Sequence, residues 1–246
     1  MSSWPRPRRR GPKILAAIVA VLLLVIVGVV TWAHIVMPGS REKALLAFRD
    51  SSISIRSTGH SIIMTPTGRS AGTGLVFIPG AKVDPYAYLY KLSGIVDDGV
   101  TVVITKPTLN LAFFDLRPLS TFTSDAPRVT RWFVGGHSLG GVRACQLADS
   151  PDVAGLVLFG SYCANDLSHT SLTVLSISGS RDGLSTPQKI ESGKPLLPST
   201  ARFVEVEGAD HASFGDYGPQ PGDNTATISS GSARRSITAA LVATLR

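Results

Sequence analysis

Between Ile14 and Val36 the chain carries no Asp, Glu, Lys or Arg, and nearly every side chain is aliphatic. A helix rising about 1.5 Å per residue crosses a hydrocarbon layer of about 30 Å in about 20 residues, so residues 14–36 are long enough to span one. Trp32 falls near the end of the run, where an indole suits the interface. The apolar region of a cleaved signal peptide is shorter, about 7–15 residues. Thr31-Trp32-Ala33 is also a poor cleavage site, and the apolar run continues past it. A retained transmembrane helix is therefore expected. Met37-Pro38-Gly39-Ser40 breaks that helix, and the charged stretch that follows reads as a linker, 37–50.

Beyond residue 51 the pattern changes to short runs. Residues 53–55 and 61–64, either side of Ser57-Thr58-Gly59, predict a small antiparallel pair. Four β-branched or apolar runs, 75–78, 101–105, 132–135 and 155–159, read as buried parallel strands, and 173–178 and 203–206 add two more. Helical patterns lie at 85–96, 142–148 and 233–245. The first of these opens on Asp84-Pro85, an N-cap side chain followed by a proline at the first helical position. Strands alternating with helices predict an α/β fold, with a mostly parallel sheet flanked by helices and right-handed crossovers. The expected plan is a basic tail, 1–13, the transmembrane helix, 14–36, the linker, 37–50, and one catalytic-sized domain, 51–246.

Charge alters the picture only once it is located. Of the formal +7, five charges come from Arg6, Arg8, Arg9, Arg10 and Lys13, with no acid among them. The remainder is almost neutral, which is not the footprint of a nucleic-acid binder. Positive charge before an apolar helix instead predicts a cytoplasmic N-terminus, with the body on the far side of a cell membrane. Charged residues make up 17% of the chain and hydrophobic ones 43%, which excludes a disordered chain. The two cysteines, Cys145 and Cys163, fit no zinc or CxxC spacing; they are open to either a disulfide or two buried thiols.

The candidate chemistry begins at Trp132-Phe133-Val134-Gly135-Gly136-His137-Ser138-Leu139-Gly140-Gly141, which contains a G-x-S-x-G pattern. In a chain with 24 glycines that pattern alone is weak. Its context is stronger: an apolar strand leads in and a helical segment leads out, as a nucleophile elbow requires. A Cβ at Gly136 or Gly140 would clash in so tight a turn. Serine needs a base to remove its proton and an acid to orient that base. Of the five histidines, His34 lies in the anchor, His60 upstream, and His169 in a short loop. His137 adjoins the serine, and packing is its expected role. His211 follows the last strand, which suits a base. Asp182, in Ser178-Gly179-Ser180-Arg181-Asp182-Gly183, follows the strand before it, while Asp210 and Asp216 are local to His211 and expected to hold its loop. The backbone N–H groups of Leu139 and Ala81 are the expected oxyanion donors, Gly80 turning the chain inward.

The order Ser138, Asp182, His211 is that of the α/β-hydrolase fold. The chain from about Leu75 onward resembles that superfamily, and within it the small fold-5 hydrolase family. The resemblance lies in Phe77-Ile78-Pro79-Gly80-Ala81-Lys82-Val83-Asp84-Pro85-Tyr86-Ala87-Tyr88, in residues 136–141, in residues 179–183, and in Asp210-His211-Ala212-Ser213-Phe214-Gly215-Asp216-Tyr217-Gly218. Many relatives have His-Gly where this chain has Pro79-Gly80; the donor there is a backbone N–H, so the role does not depend on that side chain. The resemblance implies ester hydrolysis through Ser138, Asp182 and His211, without naming a substrate. The sequence has no HExxH, no P-loop and no dinucleotide glycine pattern, so no metal and no organic cofactor is expected. The expected partners are a small-molecule ester and, through the apolar helix, a lipid bilayer. An acyltransferase with the same triad, or a non-catalytic anchored module, are the alternatives. Residues 160–172 are too few for a helical cap, so a shallow cleft is expected, walled by Tyr86, Tyr162 and Phe214. Little apolar area would then be buried by an acyl chain, at about 25 cal/mol per Å², which predicts short, soluble acyl esters as substrates.

Overall fold

The computed structural model describes residues 11–246. Four of the tail's basic residues, Arg6, Arg8, Arg9 and Arg10, lie outside them. The chain divides into two compact units, Met1–Ile35 and Val36–Arg246. In the first, α1 spans Gly11–His34, long and apolar enough to cross a membrane.

The second unit opens with a departure from the expected linker. Arg41–Phe48 is a helix, α2, capped by the Ser40 hydroxyl, which accepts from the Lys43 N–H. Its Ala and Leu residues are strong helix formers, and Ala47 is buried in the core. The charges at Arg41, Glu42 and Lys43 occupy its first turn and disguise it as linker.

Among the described residues, eight strands form one sheet: β1 Ile53–Ser57, β2 Ser61–Pro66, β3 Thr73–Ile78, β4 Thr101–Thr105, β5 Arg131–His137, β6 Val153–Phe159, β7 Thr173–Gly179 and β8 Arg202–Val206. Their spatial order is β1-β2-β4-β3-β5-β6-β7-β8. β2 runs antiparallel to both its neighbours, and every pairing from β4 to β8 is parallel. β3 and β4 are buried along their whole length, because helices cover both faces. The period of two sorts their side chains: Leu75 and Phe77 enter one core, Val76 and Ile78 the other.

On the first face lie α3 (Leu89–Asp97) and the C-terminal helix, which bury Leu89, Leu92, Ile95, Ile237 and Leu241. The short helix α4 (Ser120–Thr123) and α5 (Leu139–Ala148) contribute Phe122, Ala144 and Ala148 to the second core. Thr186 caps α6, Pro187–Gly193, and Ser229 caps the C-terminal helix α7, Ser230–Leu245. The expected helix at 85–96 is a 3-10 turn, Pro85–Tyr88, running into α3. α5 starts three residues before the expected 142, since Gly140 and Gly141 are helical despite their low propensity.

Candidate active site

β5 ends at His137 and α5 begins at Leu139, so Ser138 alone makes the turn, at φ 52° and ψ −123°. Such a conformation costs on the order of 1–3 kcal/mol and persists only where the surroundings impose it. Here they do. The Ser138 N–H donates to the Phe159 carbonyl at 3.0 Å, and its own carbonyl accepts from the Gly141 N–H at 3.0 Å and the Ser161 hydroxyl at 2.7 Å. A Cβ at Gly136 would run into the backbone of Gly140, and one at Gly140 into the carbonyls of Ile78 and Pro79. Both elbow glycines are therefore sterically required, and the elbow lies directly against the loop that follows β3.

That loop holds Ala81. Neither the Ala81 nor the Leu139 N–H has a hydrogen-bond partner among the described residues. For Leu139 this is the ordinary state of a first helical residue, and a helix N-terminus favours negative charge. Among the described residues, four other than glycine have positive φ: Lys82, Leu109, Asn110 and Ser138. Lys82 and Asn110 are joined, the Lys82 N–H donating to the Asn110 carbonyl at 2.8 Å. The strained backbone thus gathers around the elbow and the Ala81 loop, as it does at functional sites.

Asp182 follows β7 and His211 follows β8, and the structure brings them into contact: Asp182 Oδ2 lies 2.8 Å from His211 Nδ1, both side chains buried. The other carboxylate oxygen, Oδ1, accepts from the Leu184 N–H at 2.9 Å and the Ser185 N–H at 2.6 Å. Held from both sides, the carboxylate is an acceptor only, so His211 Nδ1 carries the proton and Nε2 has a free lone pair. Nε2 is buried without a hydrogen-bond partner among the described residues. The His211 ring lies 4.4 Å, centroid to centroid, from that of His137, the residue preceding Ser138. Ser138, Asp182 and His211 all stand at the C-terminal ends of parallel strands, where ligands bind in open α/β sheets.

His137 packs as expected, but its packing supports the site. The Gly80 N–H donates to the Tyr88 hydroxyl at 2.9 Å, and that hydroxyl donates in turn to His137 Nδ1, also 2.9 Å away. One buried chain thereby links the Ala81 loop to the histidine beneath the elbow. Burial first, and the adjacent His211 second, hold the His137 imidazole well below its ordinary value, so it stays neutral. The unfolded chain protonates this ring below about pH 6.5 and the native state does not, so stability is lost as pH falls through that value. Unfolding in urea between pH 8 and 5.5 should show this decline, up to about 1.4 kcal/mol per unit for one proton. His137→Gln, which keeps an acceptor for Tyr88, should flatten it; an equal slope in both proteins would assign the proton elsewhere.

The competing acids are engaged. Asp210 caps the 3-10 turn His211–Phe214 and also accepts from the Ala226 N–H. Asp216 forms a buried ion pair with Lys91 at 2.8 Å. His60 pairs with Asp125 at 3.1 Å, and His169 is exposed.

Three supporting residues were not among the sequence candidates. Gly160, at φ 47°, lies so close to Asp182 and His211 that a Cβ there would sit 2.9 Å from Asp182 Oδ2. Ser161 holds the elbow carbonyl, and Tyr88 holds His137. Only Tyr88 had a signal, as part of the 77–88 segment. Cys145 on α5 is disulfide-bonded to Cys163, with Cα atoms 5.6 Å apart, so the segment bearing Gly160 and Ser161 is also fastened covalently to the helix behind Ser138. No helix forms between β6 and β7, so this connection builds no cap. Of the expected wall residues, Tyr86 and Tyr162 are half-buried, whereas Phe214 is buried under the site against Phe159 and His137 and is not a wall.

Residues 74–235 match the alpha/beta hydrolase family. The chain belongs to that family. The α/β-hydrolase fold also appears among solved structures: MGS-MChE2, an alpha/beta hydrolase enzyme from the metagenome of lagoon sediments at Mar Chica, Morocco, aligns at a TM-score of 0.50 and 19% identity, over 65% of this chain and 90% of that one. A membrane phospholipase A described as a bacterial virulence factor aligns at a TM-score of 0.49 and 16% identity, over 81% of this chain and 90% of that one. No curated protein matches this α/β hydrolase.

Proposed function

We propose that this α/β hydrolase is a membrane-anchored serine esterase. The observation that carries the reading is the buried contact between Asp182 and His211 beside a strained Ser138 elbow. Ser138 attacks the acyl carbon while His211 Nε2 takes its proton; Asp182 holds the ring in the tautomer that makes this possible. The Leu139 and Ala81 N–H groups receive the developing oxyanion, which forms beside the N-terminus of α5. His211 then returns the proton to the leaving alcohol, and water repeats the cycle on the acyl-enzyme. The missing cap favours a short acyl group, because little apolar surface is available to cover a long one.

α1 anchors the chain, residues 1–13 stay in the cytoplasm, and the 51–246 domain, with α2 packed on it, lies outside. The bonded Cys145–Cys163 pair supports an extracytoplasmic body, since disulfides persist in oxidising compartments. A fluorophosphonate probe tests the chemistry. It should label the protein, and peptide mapping should locate the adduct on Ser138; a folded protein that stays unlabelled, or an adduct elsewhere, sinks the reading.

A further inference from the structure

Met37 is the point at which the chain becomes fixed in the second unit. Its N–H donates to the Lys82 carbonyl at 2.7 Å and its carbonyl accepts from the Asp84 N–H at 3.0 Å, a short parallel bridge to the loop that carries Ala81. Only Ile35 and Val36 separate Met37 from His34, the last residue of α1. Three steps of chain reach about 10 Å at most. The tether from α1 to the Met37 bridge is therefore two residues long.

The next strand's loop meets the same point, through the bond from the Lys82 N–H to the Asn110 carbonyl. That loop is unusual. Phe113 is 50% exposed, Phe114 57% and Leu116 83%. In the second unit the exposed large apolar side chains are these three together with Leu46 and Phe48 of α2, the helix that starts four residues after Met37. All five therefore belong to the two segments flanking the Met37 bridge. The one carboxylate within the 113–116 tip, Asp115, is gripped by the Arg117 guanidinium through Nε and a terminal nitrogen, so no bare charge opposes burial there. The 3-10 turn Ala112–Phe114 also packs on α5, whose first residue follows Ser138.

We propose that Phe113, Phe114 and Leu116 rest in the surface of the bilayer that holds α1, so that Ser138 acts on esters resident in that same bilayer. Apolar and aromatic side chains on a loop tip gain by entering the headgroup boundary, and the short tether presents them to it. The acyl group stays short; the alcohol that carries it is lipid-soluble rather than free in water. This rests on the anchor and on Ser138 as nucleophile, and each can fail separately in the test.

The full chain is reconstituted in phosphatidylcholine vesicles with a 1,2-dialkyl-3-acetylglycerol, whose only ester is the acetyl group. Acetate should be released from ester in the protein's own vesicles, and not from ester in protein-free vesicles mixed with them. Equal release from both, or cleavage confined to soluble ethyl acetate, overturns the proposal. A polarity-sensitive dye on Leu116→Cys should be quenched by lipid-borne quencher, whereas the same dye on Ser70→Cys, exposed before β3 at the opposite end of the strands, should stay bright. An unquenched dye at 116 also overturns it. Extraction of the protein by alkaline carbonate defeats the anchor, and the inference with it; failure to cleave either ester in a carbonate-resistant protein defeats Ser138 instead.

Discussion

Ser138→Ala should abolish ester turnover, a loss on the order of 10⁶-fold when a serine nucleophile is removed, with the protein still folded. The side chain is half-exposed at the elbow, so losing one oxygen opens no buried cavity. The bonds that shape the turn are made by the backbone of Ser138, from its N–H to Phe159 and from Gly141 and Ser161 to its carbonyl, and alanine keeps all of them. What alanine does not remove is the strain at φ 52°. Ser138→Gly should remove it: the same loss of turnover, together with unfolding in urea shifted to higher stability by about 1 kcal/mol. A gain in stability on deleting the proposed nucleophile is what a strained functional residue predicts. Measurable turnover by a folded Ser138→Ala protein would move the nucleophile to another residue.

The parts of this molecule that were legible in advance are those written in local pattern. Strands at 75–78, 101–105 and 155–159 are continuous apolar runs because helices bury both faces of the sheet, and such runs do not depend on distant partners to be recognised. The elbow was readable because tight geometry demands Gly136 and Gly140, and a missing Cβ is visible in sequence. The contact between Asp182 and His211 was reachable from strand order. The supports were not, since they act across the fold: Tyr88 meets His137 over 49 positions and Ser161 meets Ser138 over 23. α2 was hidden because eight residues are too few for a periodic signal, and its first turn is charged. The exposure of Phe113, Phe114 and Leu116 was not legible either, since nothing local marks the apolar run Leu111-Ala112-Phe113-Phe114 as surface.

Asp182→Asn should leave the fold intact and cut turnover by about 10⁴-fold, the scale at which a wrong histidine tautomer impairs a serine triad. The direction follows from how the carboxylate is held. Its Oδ1 accepts two backbone N–H groups, from Leu184 and Ser185, and an amide can satisfy both only by placing its carbonyl oxygen there. The NH₂ group must then face His211 Nδ1, 2.8 Å from the present Oδ2. A donor in that position forces Nδ1 to accept and moves the ring proton to Nε2, the nitrogen that must be free to take the Ser138 proton. Turning the amide over would set its NH₂ against two N–H donors, a worse arrangement in a buried site. Fluorophosphonate labelling should slow in parallel with ester turnover, because both require the same proton transfer. Asp210 and Asp216 offer no substitute, one bound to its own turn and the other to Lys91. Turnover within tenfold of the wild type would show that the buried Asp182–His211 contact is structural, and that the base is oriented by another group.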